Sequence, residues 1–240
     1  TVNPHNPFSE VLADGAWRDE PCFIVGGGPS LIGFDFGRLR GRGHVIVINR
    51  AFEFAPFADI LFFMDWRFYR LCHDNPERYR MWQEFKGYKV FLNIMGRKLE
   101  DCYSVRSVGR HGLSKSIAGG LHHGNNSGVG ALNLALCLQA RPIYLLGYDM
   151  RHENGQAHFH SGYGGIAHEK TALSFAREFE RIGKGIADKW FDAALPDRIK
   201  LPGSTDEAGY GTKNSRPPDF KYLARLVEYT EARLPEILQY

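Results

Sequence analysis

Six short apolar runs recur along the chain, and their spacing limits what it can fold into more than any single residue does. They are CFIVGG (22–27), HVIVIN (44–49), DILFFMD (59–65), KVFLNI (89–94), SVRSVG (104–109) and PIYLLGYDM (142–150). Runs this short, without strict alternation and separated by helical patterns, are what strands buried on both faces look like. Repeated strand and helix units build a parallel sheet, so the expectation is an α/β, Rossmann-like, doubly wound, mainly parallel sheet with helices on both faces. The intervening patterns agree. Residues 66–86 predict a helix that Pro76 should kink or restart. SGVGALNLALCLQA (127–140) is apolar nearly all round, which predicts a helix packed on the sheet. Amphipathic helices are predicted over 168–188 and 217–238, the second opened by two prolines, with a Gly- and Pro-rich loop from about 201 to 218 between them. The 240 residues read as a single domain, residues 1–240, with its core over about 20–205 and a C-terminal helix at 217–238.

Composition excludes several classes. The net charge of +3 is spread rather than gathered into basic runs, so nucleic-acid binding is permitted without being argued for. No stretch of about 18 apolar residues could span a membrane, and residues 1–20 lack the apolar segment of an export signal. Cys22, Cys72, Cys102 and Cys137 lie far apart, which predicts reduced thiols and a cytoplasmic protein.

In an open parallel sheet, ligands bind outside the carboxyl ends of the strands, so the residues closing each run are the ones to read. The first run ends in Gly26, Gly27, Gly28, Pro29 and Ser30. Glycines let backbone approach an anion, and a proline-started helix offers free amides to a phosphate. A plain tight turn is the alternative. The dinucleotide fingerprint G-x-G-x-x-G is incomplete, because Leu31 stands where its third glycine belongs. The second run ends in Asn49 rather than the acidic residue that grips the ribose of NAD, and its amide suits either a nucleotide or a helix cap. Asp65, after the third run, is a magnesium ligand or, preferably, a cap. Asn126, Ser127 and Gly128 precede the apolar helix as a second place for an anion. The last run ends in Tyr148 and Asp149 and leads into a segment with four of the ten histidines, among them His158, His160 and His168. Histidines beside a phosphate site point to proton transfer or leaving-group stabilisation at neutral pH. Their spacing matches no standard zinc pattern.

Together, GGGPSL, INRAF and NNSGVGALNLALCLQARPIYLLGYDM resemble a superfamily over roughly residues 20–190. It holds the bacterial sialyltransferases that cap lipooligosaccharide and the 6-hydroxymethylpterin diphosphokinase-like family, whose relatives are frequent in bacteriophage genomes. The resemblance implies a nucleotide lying across the strand ends, held by Gly26, Gly28, Ser30 and Asn49, with Ser127 and Gly128 contacting the donor. It places the general base at His168, although Ala167 replaces the glycine of that motif. Three functions follow as expectations. The first is a glycosyltransferase with a nucleotide-sugar donor and no required cofactor, using His168 as base and His160 to stabilise the leaving phosphate, with Asp149 as a further catalytic candidate. The second is magnesium-dependent diphosphate transfer from ATP to a pterin-like alcohol, with Asp65 and Asp149 as metal ligands. The third is a nucleotide-binding phage accessory protein without catalysis. The acceptor, whether a sugar, a pterin or a modified nucleic-acid base, is not named by the sequence, and a homo-oligomer is left open.

Overall fold

The computed structural model describes residues 7–148 and 158–160. Within them lie seven strands: β1 Cys22–Val25, β2 His44–Ile48, β3 Ile60–Phe63, β4 Tyr88–Asn93, β5 Tyr103–Gly109, β6 Leu121–His122 and β7 Ile143–Leu146. Three α-helices accompany them: α1 Trp66–His73, α2 Pro76–Glu84 and α3 Ser127–Cys137. All adjacent strands pair in parallel, in the order β6-β5-β4-β3-β2-β1-β7. The fold is therefore the expected α/β, Rossmann-like arrangement.

The strand order fixes where a ligand crevice can form. From β1 to β6 each new strand is laid on the same edge, and the chain then returns through α3 to set β7 against the other side of β1. The winding reverses between β1 and β7, and loops diverge from a sheet at such a switch point.

Strands β1 and β3 are wholly buried, and β2 and β7 all but one residue each, because both faces are covered. On one face, Ile24, Ile46, Ile60, Phe62 and Leu92 pack with Val129, Leu132 and Ala135 of α3. The other face carries Phe23, Val25, Val47, Leu61 and Phe63 beneath an aromatic layer of Phe36, Phe52, Phe68, Trp82 and Phe85. Burying a side chain of this size contributes about 1.5–3 kcal/mol.

Helix α3 is sunk into the sheet, with every residue from Gly128 to Cys137 buried. Gly130 permits the close approach, since a Cβ there would stand 2.9 Å from the Phe62 ring and 3.2 Å from Leu92. One polar residue rides inside this helix. The Asn133 amide oxygen accepts from the amides of Ser114 and His122, each at 3.0 Å, and its Nδ2 donates to the Ser114 carbonyl at 2.9 Å. Fully buried, Asn133 thereby ties α3 to the sheet edge at β6.

Several boundaries differ from the sequence reading. The helix expected over 66–86 is two helices, because Asn75 caps the second through the Arg78 amide and Pro76 starts it. The short β6 carries too little pattern to be predicted. The last run stops being strand at Gly147, which adopts φ +66. The proline-started helix after β1 is only a 3₁₀ turn over Pro29–Leu31. The helices predicted at 168–188 and 217–238 and the loop at about 201–218 lie outside the described residues. Among the described residues no helix is long and apolar enough to cross a membrane.

Candidate functional site

The glycine segment after β1 runs along the switch point and continues the pairing with β7. The amide of Gly26 donates to the Leu146 carbonyl and that of Gly28 to the Gly147 carbonyl, both at 2.8 Å. These two amides are therefore committed to the sheet, which corrects the expectation of a helix start with free donors. The glycines divide by what they face. A Cβ on Gly26 would come within 2.7 Å of the Gly147 carbonyl oxygen, so Gly26 is required by backbone packing. A Cβ on Gly27 would instead meet His158 Nδ1 at 3.1 Å and His160 Nε2 at 3.9 Å. Gly27 is thus the glycine that faces the histidine side chains.

His158 and His160 reach this turn because the Phe159 amide donates to the Gly27 carbonyl at 3.0 Å. Their rings stack in parallel, 5.2 Å apart and 4° from coplanar, as expected for residues two apart on an extended segment. The Phe54 ring lies nearly parallel to His160, at 18° and 6.3 Å. His160 is 9% exposed. Burial, then the positive charges of Arg50 and His158, pull its pKa down from 6.5 to about 4, so the ring is neutral at physiological pH.

Arg50 is the residue of this candidate site that sequence reasoning missed. It follows Asn49 at the end of β2, is 5% exposed, and directs NH1 at His160 Nδ1, 3.4 Å away. Glu53, one turn on, grips the guanidinium with both oxygens, Nε to Oε1 at 2.6 Å and NH2 to Oε2 at 2.7 Å. Arg78 of α2 adds a third bond to the same carboxylate, at 3.2 Å. Burial alone would raise the Glu53 pKa, but the hydrogen bonds and charges of Arg50 and Arg78 outweigh it and hold the carboxyl below its usual range. The one available signal was a charged residue directly after a buried strand, a place where an arginine is seldom idle.

Asn49 lies beside Gly27 in register, each two residues beyond the paired Val47 and Val25. It has a positive φ of +51 and opens a 3₁₀ turn. Its amide oxygen is buried without a hydrogen-bond partner. Buried acceptors are ordinarily matched by a donor.

The second predicted anion element is brought to the same place. Tyr148, just past β7, lies with its ring 3.2 Å from where a Gly26 Cβ would be and 2.8 Å from that of Gly128. Its hydroxyl donates to the Gly128 carbonyl at 3.2 Å. Tyr148 is 3% exposed, and burial pushes its phenol well above the ordinary value. It acts as a strut between the glycine turn and α3. Asn126 caps α3, its oxygen accepting from the Gly128 amide at 2.6 Å, so that amide is also committed. Ser127, the first residue of the helix, is partly exposed at this end.

Asp65 is the α1 cap that the sequence favoured, accepting from the Arg67 amide at 2.9 Å. Among the described residues no cluster of histidine, cysteine or acidic side chains could hold a metal ion. All four cysteines are buried and outside any disulfide, and burial raises the thiols of Cys22, Cys72 and Cys102, which disfavours the reactive thiolate. Asp149 and His168 lie outside the described residues.

The geometry thus joins the turn after β1, the end of β2, the histidine segment and the start of α3 at one switch point. No protein family model, curated protein or solved structure matches this chain.

Proposed function

We propose that this protein is a nucleotide-dependent transferase, a glycosyltransferase that takes a nucleotide-sugar donor. The observation that carries the reading is the neutral, buried His160, paired with Arg50 and laid against Gly27 where the sheet's winding reverses. In this reading the donor's phosphates lie over Gly27, between the histidine pair and the start of α3. The buried oxygen of Asn49 takes a ribose hydroxyl. His160, backed by the Arg50 charge, stabilises the departing phosphate, and His168 removes the acceptor's proton as general base.

Donors here need only be aimed at charge that develops as the sugar leaves, so no metal is required. The magnesium-dependent transfer from ATP remains the competing reading, and no observation favours it, since the side chain of its ligand Asp65 serves as the cap of α1.

The test is a thermal-shift screen of the full chain against nucleotides and nucleotide sugars, with and without magnesium. A ligand at 100 times its dissociation constant adds about 2.7 kcal/mol to stability. Stabilisation by a nucleotide sugar without magnesium supports the reading. Stabilisation only by ATP with magnesium transfers support to the diphosphokinase reading, and none by any nucleotide removes both.

A further inference from the structure

We propose that Arg97, stacked on Trp66 at the carboxyl ends of β3 and β4, is a binding site for an anionic group, a phosphate or carboxylate carried by the acceptor. The anion site stands on geometry alone, while its assignment to an acceptor rests on the transferase reading above.

The loop after β4 is closed on itself. Asn93, the last residue of that strand, accepts from the Arg97 amide at 2.9 Å and donates from Nδ2 to the Arg97 carbonyl at 2.8 Å. Gly96 turns the chain between them with φ +66. One side chain thereby satisfies both backbone groups of Arg97 and fixes where its own side chain leaves the loop. The guanidinium then lies over the Trp66 ring, its carbon 4.4 Å from the ring centroid. Trp66 is the first residue of α1, directly after the cap Asp65. Arg70 also approaches this ring, at 5.8 Å, but its charge is taken by Asp74 at 2.9 Å.

Stacking occupies the flat face of a guanidinium and leaves the N–H donors around its edge. Among the described residues no carboxylate pairs with Arg97, nor with the exposed Arg67 and Lys98 that follow Trp66 and Arg97 in the chain. The carboxylate of Asp65 accepts from the Arg67 amide, and Glu100 and Asp101 act on Tyr69. Arg50, Arg70 and Arg78, by contrast, are each matched to a carboxylate. An arginine held in place without such a match suits a two-pronged grip on a phosphate or carboxylate.

Its position suits an acceptor. The strands are all parallel, so the end of β4 lies on the same edge of the sheet as Gly27, and the strand order sets three strand spacings between them, on the order of 14 Å. A molecule anchored by its anion at Arg97 extends along that edge toward the donor phosphates. Ile94 and Met95, 41% and 68% exposed in the same loop, offer apolar contact to its body.

The experiment is a proton–nitrogen spectrum of the Nε–H groups of the full chain labelled with ¹⁵N-arginine. The Arg97 signal is identified by its disappearance in Arg97→Gln. Inorganic phosphate and, separately, acetate are titrated in at constant ionic strength set with chloride. The expected result is a saturable shift of the Arg97 signal, and whichever anion binds more tightly names the group the acceptor carries. Trp66→Leu should weaken that binding about two- to fivefold, the worth of an exposed stacked cation. A signal that neither anion moves, or that moves without saturating, overturns the proposal, and this holds even if Trp66→Leu fails to fold. Unchanged affinity in a folded Trp66→Leu protein overturns the role of the stacking. If the thermal-shift screen finds no nucleotide, the acceptor assignment is overturned with the transferase reading, while the anion site stands or falls by the Arg97 signal.

Discussion

Acid should unfold this protein earlier than its carboxylates alone would dictate, because one histidine is buried in its neutral form. The unfolded His160 ring takes up a proton near 6.5, whereas the folded ring resists protonation down to about 4. Between those values only the unfolded state binds the proton, so stability falls as the pH falls through that window. Acidification from about pH 7 to about pH 5 covers about 1.5 pH units of it, and at about 1.4 kcal/mol per unit the loss is about 2 kcal/mol. Glu53 contributes little over this range. Its carboxyl is held below 4.5, so the stability it adds disappears only as the pH falls further, through its lowered folded value. The assay is urea unfolding of wild type and His160→Gln at both pH values. A loss of about 2 kcal/mol at a urea slope of about 2 kcal/mol per molar lowers the wild-type midpoint by about 1 M. The variant, having no ring to protonate, should lack that part of the shift. Equal acid sensitivity in the two proteins would refute the buried neutral imidazole and the Arg50 pairing built on it.

Other substitutions separate packing from ligand binding. Gly26→Ala should destabilise by about 1–3 kcal/mol in denaturant melts, because its Cβ meets a backbone carbonyl at 2.7 Å that cannot swing away. Asn133→Leu keeps the volume but leaves two part-buried amides without their acceptor, and should cost about 1–3 kcal/mol by the same measurement. In a transferase assay, His168→Ala should lower turnover by on the order of a hundredfold with nucleotide affinity nearly unchanged. A larger effect from His160→Ala, with His168→Ala still active, would move the base to the histidine pair.

What could be read in the sequence follows from how local the physics is. Strands such as Ile60–Phe63 are apolar throughout because both faces are covered, and that pattern needs no partner to be recognised. Asp65 could be read as a cap for the same reason, bonding an amide two residues on; Asn126, read as part of an anion site, is also a cap in the structure. The glycine turn was located correctly while its amides were not, since their partners are carbonyls about 120 residues away on β7. The contact of Tyr148 with α3 could not be read from the sequence either, since it is decided by the carbonyl of Gly128, 20 positions earlier. Arg50 stood in a quoted motif without drawing notice, because its meaning depends on His160, 110 positions later.

The central claim is that a nucleotide's phosphates lie over Gly27, and calorimetric titration of wild type and Gly27→Val with the nucleotide selected by thermal shift tests it most directly. The valine would press on the side chain of His158 rather than on backbone, so the fold should persist and its melting should remain close to wild type. The account predicts measurable binding by wild type and none by the folded variant, because the branched side chain pushes aside the histidine pair that faces the phosphate in this reading. Equal affinity in a folded Gly27→Val protein would contradict it.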